Sequence, residues 1–170
     1  MCMNTSAPFL WEVPFLFGLF NQLMPLIDIL FGNESEALAA GKAFGFSTSD
    51  VAEIAALIAK LPKTNSKRGR IVVITQGCDP TIIAVADAAG NVTTTIESVA
   101  KIPKSCIVDT NGAGDMFAGA FLYAVTHGHS RSQSAWLANQ AAAQVVSQHG
   151  NRLSAAAMGD IKTRFDAYLG

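Results

Sequence analysis

Asp109-Thr-Asn-Gly-Ala-Gly-Asp115 places Gly112, Ala113 and Gly114 between two carboxylates, directly ahead of the apolar stretch MFAGAFLYAVTHG. Residues with little or no side chain let a ligand approach the backbone closely. At the start of a helix, unpaired N–H groups and the helix dipole favour an anion. Together these features suit the charge that develops on a transferring phosphoryl group. Asp115 lies in the same turn, where a helix N-terminus favours an ionised carboxylate. Such a group can take a proton from a substrate hydroxyl, which is typically worth about 10²–10⁴-fold in rate. The plainer alternative is a strand-to-helix turn with an Asp cap. The stretch is not a GxxxxGK[ST] loop, because the pattern and its lysine are absent. It is not GxGxxG either, because Phe117 stands at the third glycine position.

Three further groups carry polar side chains at turns. Asn33-Glu-Ser-Glu36 has the spacing of a capping box, which by itself accounts for both residues. The same side chains could hold water around magnesium, which prefers oxygen ligands and keeps several waters. Thr75-Gln76-Gly77 reads as a turn after a strand, and Asn139 as a polar residue on an exposed helix face. His127-Gly-His129 reads as a solvated helix end, since two ligands are too few for a metal site.

These groups need elements to position them. Ile27–Phe31 predicts a short buried strand ending at Gly32-Asn33, followed by a helix over ESEALAAGKAFG. Asp50–Leu61 predicts a second helix with Val51, Ile54, Ala55 and Ile58 on one face, stopped by Pro62. Ile71–Thr75 predicts a buried strand, and TIIAVAD with VTTTIES a β-hairpin around Ala88-Ala-Gly-Asn91. SCIVD reads as another buried strand, and Asp115–His127, Ser132–Gln148 and Ala155–Tyr168 as helices. Apolar strands alternating with helices indicate an α/β domain with a largely parallel sheet covered on both faces. Ligands in such sheets gather beyond the carboxyl ends of the strands. Asn33, Thr75 and the Asp109–Asp115 turn are therefore expected along one sheet edge.

Composition narrows the class. The chain has 170 residues, suited to one domain, with 50% apolar residues and a formal net charge of −1. That charge leaves no footprint for nucleic acid or an anionic membrane. The basic run Lys63–Arg70 reads as a solvated connection. Cys2, Cys78 and Cys106 are odd in number and lack metal-ligand spacing, so reduced thiols and a cytoplasmic location are expected. The apolar N-terminus, WEVPFLFGLF and NQLMPLIDILF, lacks the basic flank of a signal peptide. Pro14, Pro25 and Asp28 interrupt any membrane span, so it reads as core-facing.

In order along the chain, SAPF (Ser6 to Phe9), DILFGNESEA, ITQG and DTNGAGDMFAGAF resemble the ribokinase-type sugar and nucleoside kinases. DILFGNE with SAPF narrows the resemblance to the adenosine kinase branch, from about Asn4 to Gly150 and more loosely beyond. The resemblance implies a ribokinase-like three-layer α/β/α fold. It implies ATP-dependent phosphorylation of the adenosine 5′-hydroxyl, with Mg²⁺ and a monovalent cation such as K⁺. Asp115 matches the catalytic base, and Gly112, Ala113 and Gly114 match the anion hole for the γ-phosphate. Asn33 and Glu36 match the motif tied to magnesium, through water, and to phosphate placement. Thr75 and Gly77 match the turn bordering the ATP phosphates, and Asn139 a position beside the adenine. Asp109 and Asn111, with Gly150, match the cation loop.

In the family SAPF lies near mid-chain, whereas here it starts at Ser6. The chain is accordingly expected to be the C-terminal, ATP-binding and catalytic-base part of a single kinase domain. It would be truncated on the N-terminal side, without the lid and most nucleoside-gripping residues, inactive alone, and prone to self-association although the family is typically monomeric. Two other readings stand beside this one: a non-catalytic nucleotide-binding remnant or subunit, and a sugar kinase of the same family.

Overall fold

The computed structural model describes residues 1–170, which divide into two compact units, Met1–Ile96 and Glu97–Gly170. In the first, β1 (Cys2–Asn4), β2 (Ile29–Asn33), β3 (Ile71–Gln76), β4 (Asp79–Ala86) and β5 (Val92–Glu97) form one sheet in that spatial order, β5 ending at the unit boundary. The first three strands run parallel, and β4 returns antiparallel to β3. The fold is therefore α/β, with a mixed sheet whose parallel part carries Asn33 and Thr75 at its carboxyl ends.

Local chemistry explains most of the helices. In α3 (Glu34–Ala43) Asn33 accepts from the Glu36 N–H and Glu36 reaches back to the Asn33 N–H, a complete capping box. Its C-terminus is closed by Gly45 at φ 73°. Asp50 caps α4 (Val51–Lys60) by accepting from the Glu53 N–H at 2.9 Å. The apolar face of α4 buries Ile54, Ala55 and Ile58 in a core shared with Leu30, Val72, Ile74, Ile82 and Ala84 of the sheet. Alternate residues Val73 and Ile83, which point to the other face, are fully buried too.

The apolar N-terminus behaves unevenly. α1 (Phe9–Glu12) buries Trp11, whose ring lies 5.2 Å from Phe20 and 5.8 Å from Phe44. α2 (Pro14–Leu23) buries no residue fully, and Phe15 is 73% exposed. The core-facing expectation thus holds for Trp11 and Met24 but not for the outer face of α2. No helix is long and apolar enough to cross a membrane.

The basic run is the solvated connection expected from its composition only over residues 64–68, and its end departs from that reading. Arg70 is fully buried. Its Nε donates to the Ile27 carbonyl at 3.2 Å, Nη1 to Ile58 and Leu61 at 2.9 and 2.8 Å, and Nη2 to Met24 and Pro62 at 2.5 and 3.0 Å. All five donors of the guanidinium are used. Burial lowers the Arg70 pKa from its ordinary value, opposed by the charge of Asp28. Lys63 and the amino terminus of Met1 both pair with Asp28.

The hydrogen bond from Lys63, then that from the amino terminus, holds the Asp28 carboxyl down at about 2 against an ordinary 3.8. A depressed folded-state value means that this contribution to stability is complete above pH 3.8 and is lost as pH falls through about 2. Asp28→Asn is expected to flatten that acid limb in a plot of thermal midpoint against pH. An unchanged limb would show that Asp28 does not drive it.

The second unit is helical: α5 (Ala113–Thr126), α6 (Arg131–Val146) and α7 (Ala155–Leu169). Ser130 and Gln133 form a second capping box on α6, and Ser154 caps α7 through the Ala157 N–H at 3.1 Å. Leu137 and Ala141 pack with Ala124, Ile161 and Phe165 into its core. The strand expected at SCIVD does not form: Lys104–Cys106 is a 3₁₀ turn, and Ile107 and Val108 are 45% and 44% exposed. A strand needs a neighbour for its backbone groups, and here the Val108 N–H finds instead the Val146 carbonyl at the end of α6, at 2.9 Å.

Candidate active site

The DTNGAGD turn is organised by its own backbone. Asp109 Oδ1 accepts from the Asn111 N–H at 2.9 Å, an Asx turn, and the Ala113 N–H reaches the Thr110 carbonyl at 3.3 Å. Gly112 is the N-cap of α5 at φ 77°, ψ 0°, left-handed geometry that glycine alone adopts without strain. A Cβ there would also stand 2.6 Å from the Cβ of Asn151. The two loops that the sequence links to a cation, Asp109–Gly112 and the chain around Gly150, therefore lie side by side. Gln148 Nε2 donates to the Gly150 carbonyl at 3.3 Å and to that of Arg152 at 2.8 Å, holding the second loop.

No side chain caps α5, so its first-turn N–H groups are not taken up by a local acceptor side chain. A Cβ on Gly114 would meet nothing within 4 Å, which makes this the open face of the turn. Asp115 is the acidic residue of that first turn, and it is exposed. Donors, open space and a solvent-facing carboxylate thus lie within one helical turn. That arrangement can hold an anion and accept a proton beside it. Asn139 departs from the exposed position expected for it: it lies on α6 and is buried at 7% exposure. The adjacent Ala138 is fully buried as well. His127 Nδ1 lies 2.7 Å from the Tyr123 carbonyl, a helix-end contact.

In the first unit, Asn33 and Thr75 are register partners at the carboxyl ends of β2 and β3, so those two groups share an edge as expected. Thr75 Oγ1 donates to the Gly32 carbonyl at 3.4 Å, and Gly77 turns the chain into β4 at φ 59°. Glu36 is 5% exposed and fully engaged. Its Oε2 accepts from Thr5 Oγ1 at 2.5 Å and from the Asn33 N–H at 3.0 Å, and its Oε1 from Asn33 Nδ2 at 3.0 Å. Thr5 escaped the sequence reading because its partner lies 31 residues away.

Magnesium takes about six oxygen ligands. A carboxylate already bound by three protein donors, with one amide beside it, does not supply a direct ligand set. No group of three or more His, Cys, Asp or Glu converges elsewhere.

Residues 2–158 match the pfkB family carbohydrate kinase model, and the chain belongs to that family. It is 40% identical over 151 residues to the adenosine kinase of Schizosaccharomyces pombe, covering 89% of this chain and 42% of that protein. Among solved structures it superposes on Anopheles gambiae adenosine kinase in complex with P1,P4-di(adenosine-5) tetraphosphate. The TM-score there is 0.78 at 40% identity, over 88% of this chain and 42% of that one. Against Schistosoma mansoni adenosine kinase in complex with 2-fluoroadenosine the TM-score is 0.81 at 35% identity, over 91% and 44%. The chain thus spans less than half the length of each of these relatives.

Proposed function

We propose that both units belong to one kinase domain. In it this chain supplies the ATP-side and catalytic-base part of a reaction that moves the γ-phosphoryl group of ATP to the 5′-hydroxyl of adenosine. The products are AMP and ADP. The observation that carries the reading is the α5 N-terminus, where left-handed Gly112, open Gly114 and exposed Asp115 lie within one turn. Asp115 takes the hydroxyl proton as the oxygen attacks phosphorus, and the backbone N–H groups of the Gly112–Gly114 turn hold the equatorial phosphoryl oxygens.

Thr75 and Gly77 border the ATP phosphates, and Asn139 lies toward the adenine. Asn33 and Glu36 approach phosphate-bound magnesium through water alone. When bound, that magnesium neutralises phosphate charge. Asp109, Asn111 and the loop at Gly150 take a monovalent cation. The solved relatives with adenosine-type ligands support adenosine over a sugar as acceptor. Three free, exposed cysteines fit a reducing cytoplasm.

ATP titration of the chain tests the phosphate side without requiring turnover. Gly114→Val places a branched side chain on the open face of the turn, where nothing in the fold opposes it. The variant is expected to fold and to bind ATP roughly tenfold more weakly, the equivalent of one charge-assisted hydrogen bond. Equal affinities for the two proteins would remove the turn from the phosphate site.

A further inference from the structure

α2 is apolar on both sides. Phe17 and Phe20 pack against the core, and Met24, just beyond the helix, is buried within it. The opposite stripe, three to four residues apart, is Phe15, Gly18, Leu19 and Gln22, with Leu23 at its border. A helix on a domain surface ordinarily turns polar side chains outward, and one that is apolar all round is ordinarily covered. Here Phe15 stands 73% exposed, and Val13, Leu19, Leu23 and Leu26 between 38% and 49%.

Two further observations describe what fits over this face. No ionisable side chain lies between Glu12 and Asp28, and Asp28 is already paired with Lys63 and the amino terminus. Such a surface has nothing to attract a charged partner, and it lacks the basic residues of a helix that lies on lipid. An uncharged apolar face meets it without burying a charge. Gly18 sits at the middle of α2, where glycine is a poor helix former. Its own fold does not require it, since a Cβ there would meet nothing within 4 Å and its φ is not positive. A second backbone arriving from outside supplies the requirement, because glycine permits close approach.

We propose that α2 is the interface of a two-fold dimer of this chain, packed antiparallel on α2 of a second copy. The proposal does not depend on the phosphate-side reading. A two-fold axis between Gly18 and Leu19, the helix midpoint, sets Phe15 opposite Gln22 of the other copy and Gly18 opposite Leu19. Each position of the stripe then meets another position of the stripe, so the face is its own complement. At ~200 Å² for a large side chain, the exposed fractions amount to roughly 500 Å² per copy. About 1,000 Å² in total is the lower limit of a specific interface, so the dimer is weak, with Kd on the order of 10 µM. The open sheet edge, β1, offers only three residues, a short edge of the kind that resists pairing.

The test is sedimentation equilibrium of the 170-residue chain, from about tenfold below to about tenfold above that Kd. One monomer–dimer equilibrium is expected, with no larger species. Phe15→Glu puts a carboxylate into the apolar contact and should raise Kd more than about tenfold. Gly18→Gln introduces a better helix former that holds the two backbones apart. It should leave the thermal midpoint equal or higher while weakening the dimer about tenfold. Phe15→Glu/Gln22→Lys sets opposite charges across the two-fold axis and should return Kd to within about threefold of the parent.

A chain that stays monomeric at the highest concentration would overturn the proposal. Association that Phe15→Glu leaves unchanged would also overturn it and point to the sheet edge, and growth beyond a dimer would do so in favour of unspecific association. Failure of the double variant to recover would reject the two-fold pairing. A monomeric chain that sediments with phosphatidylcholine vesicles would assign the face to lipid instead. Should Phe15→Glu fail to fold, Gly18→Gln decides, because a folded variant that dimerises at parent strength contradicts the helix contact.

Discussion

Asp115→Asn is expected to lower phosphoryl transfer by about 10²–10⁴-fold while ATP affinity changes by no more than a few-fold. The amide has the shape of the carboxylate but cannot accept the hydroxyl proton. The backbone of the turn, shaped by Gly112 and the Asx contact of Asp109 with Asn111, does not depend on the Asp115 side chain. Binding and chemistry should therefore separate cleanly. The assay uses a chimera in which this chain replaces the matching 42% of the Schizosaccharomyces pombe adenosine kinase. Steady-state turnover with adenosine and ATP titration are read on the same protein. Turnover above about a tenth of the parent chimera falls below the smallest ordinary general-base effect and would remove Asp115 from that role.

The second large effect is structural. Arg70→Met is expected to destabilise the first unit by more than about 4 kcal/mol, enough to unfold a domain of ordinary stability. Buried ion pairs are often replaceable by apolar side chains of similar volume, but the partners of Arg70 are five backbone carbonyls that no mutation removes. The Met24 and Ile58 carbonyls keep one backbone N–H each, and those of Leu61 and Pro62 are partly buried. A carbonyl left buried without a donor still costs about 1–3 kcal/mol, and the charge-assisted bonds to all five are lost. Arg70→Lys should recover only part of the loss, since an ammonium has three donors in place of five. Urea unfolding followed by circular dichroism measures both. A shift below about 1 kcal/mol for Arg70→Met would show that water or local rearrangement satisfies those carbonyls.

What the sequence made legible follows from the range of each interaction. The capping box of Asn33 and Glu36 spans three residues and can be read directly, as can Asp50 with Glu53 and the glycine that opens α5. β2 and β3 are visible because a strand buried on both faces is an unbroken apolar run. SCIVD has the same look, yet whether it becomes a strand depends on a neighbouring chain that no local pattern encodes. Arg70 was misread for the same reason. Its composition resembles a surface loop, whereas its acceptors lie 8 to 46 residues away along the chain. Thr5 belongs to this class too: one hydroxyl among polar neighbours signals nothing until β1 is laid beside β2. The phosphate turn was legible as geometry, and the assignment of adenosine came from the whole ordered set of motifs, not from the turn.

The measurement closest to the central claim is the acceptor specificity of that chimera with its own Asp115 in place. The account predicts ATP-dependent conversion of adenosine to AMP with matching release of ADP. It also predicts little turnover when ribose replaces adenosine. A folded chimera that binds ATP yet phosphorylates neither acceptor would contradict the catalytic role assigned to this chain, and one that prefers ribose would contradict adenosine as its acceptor.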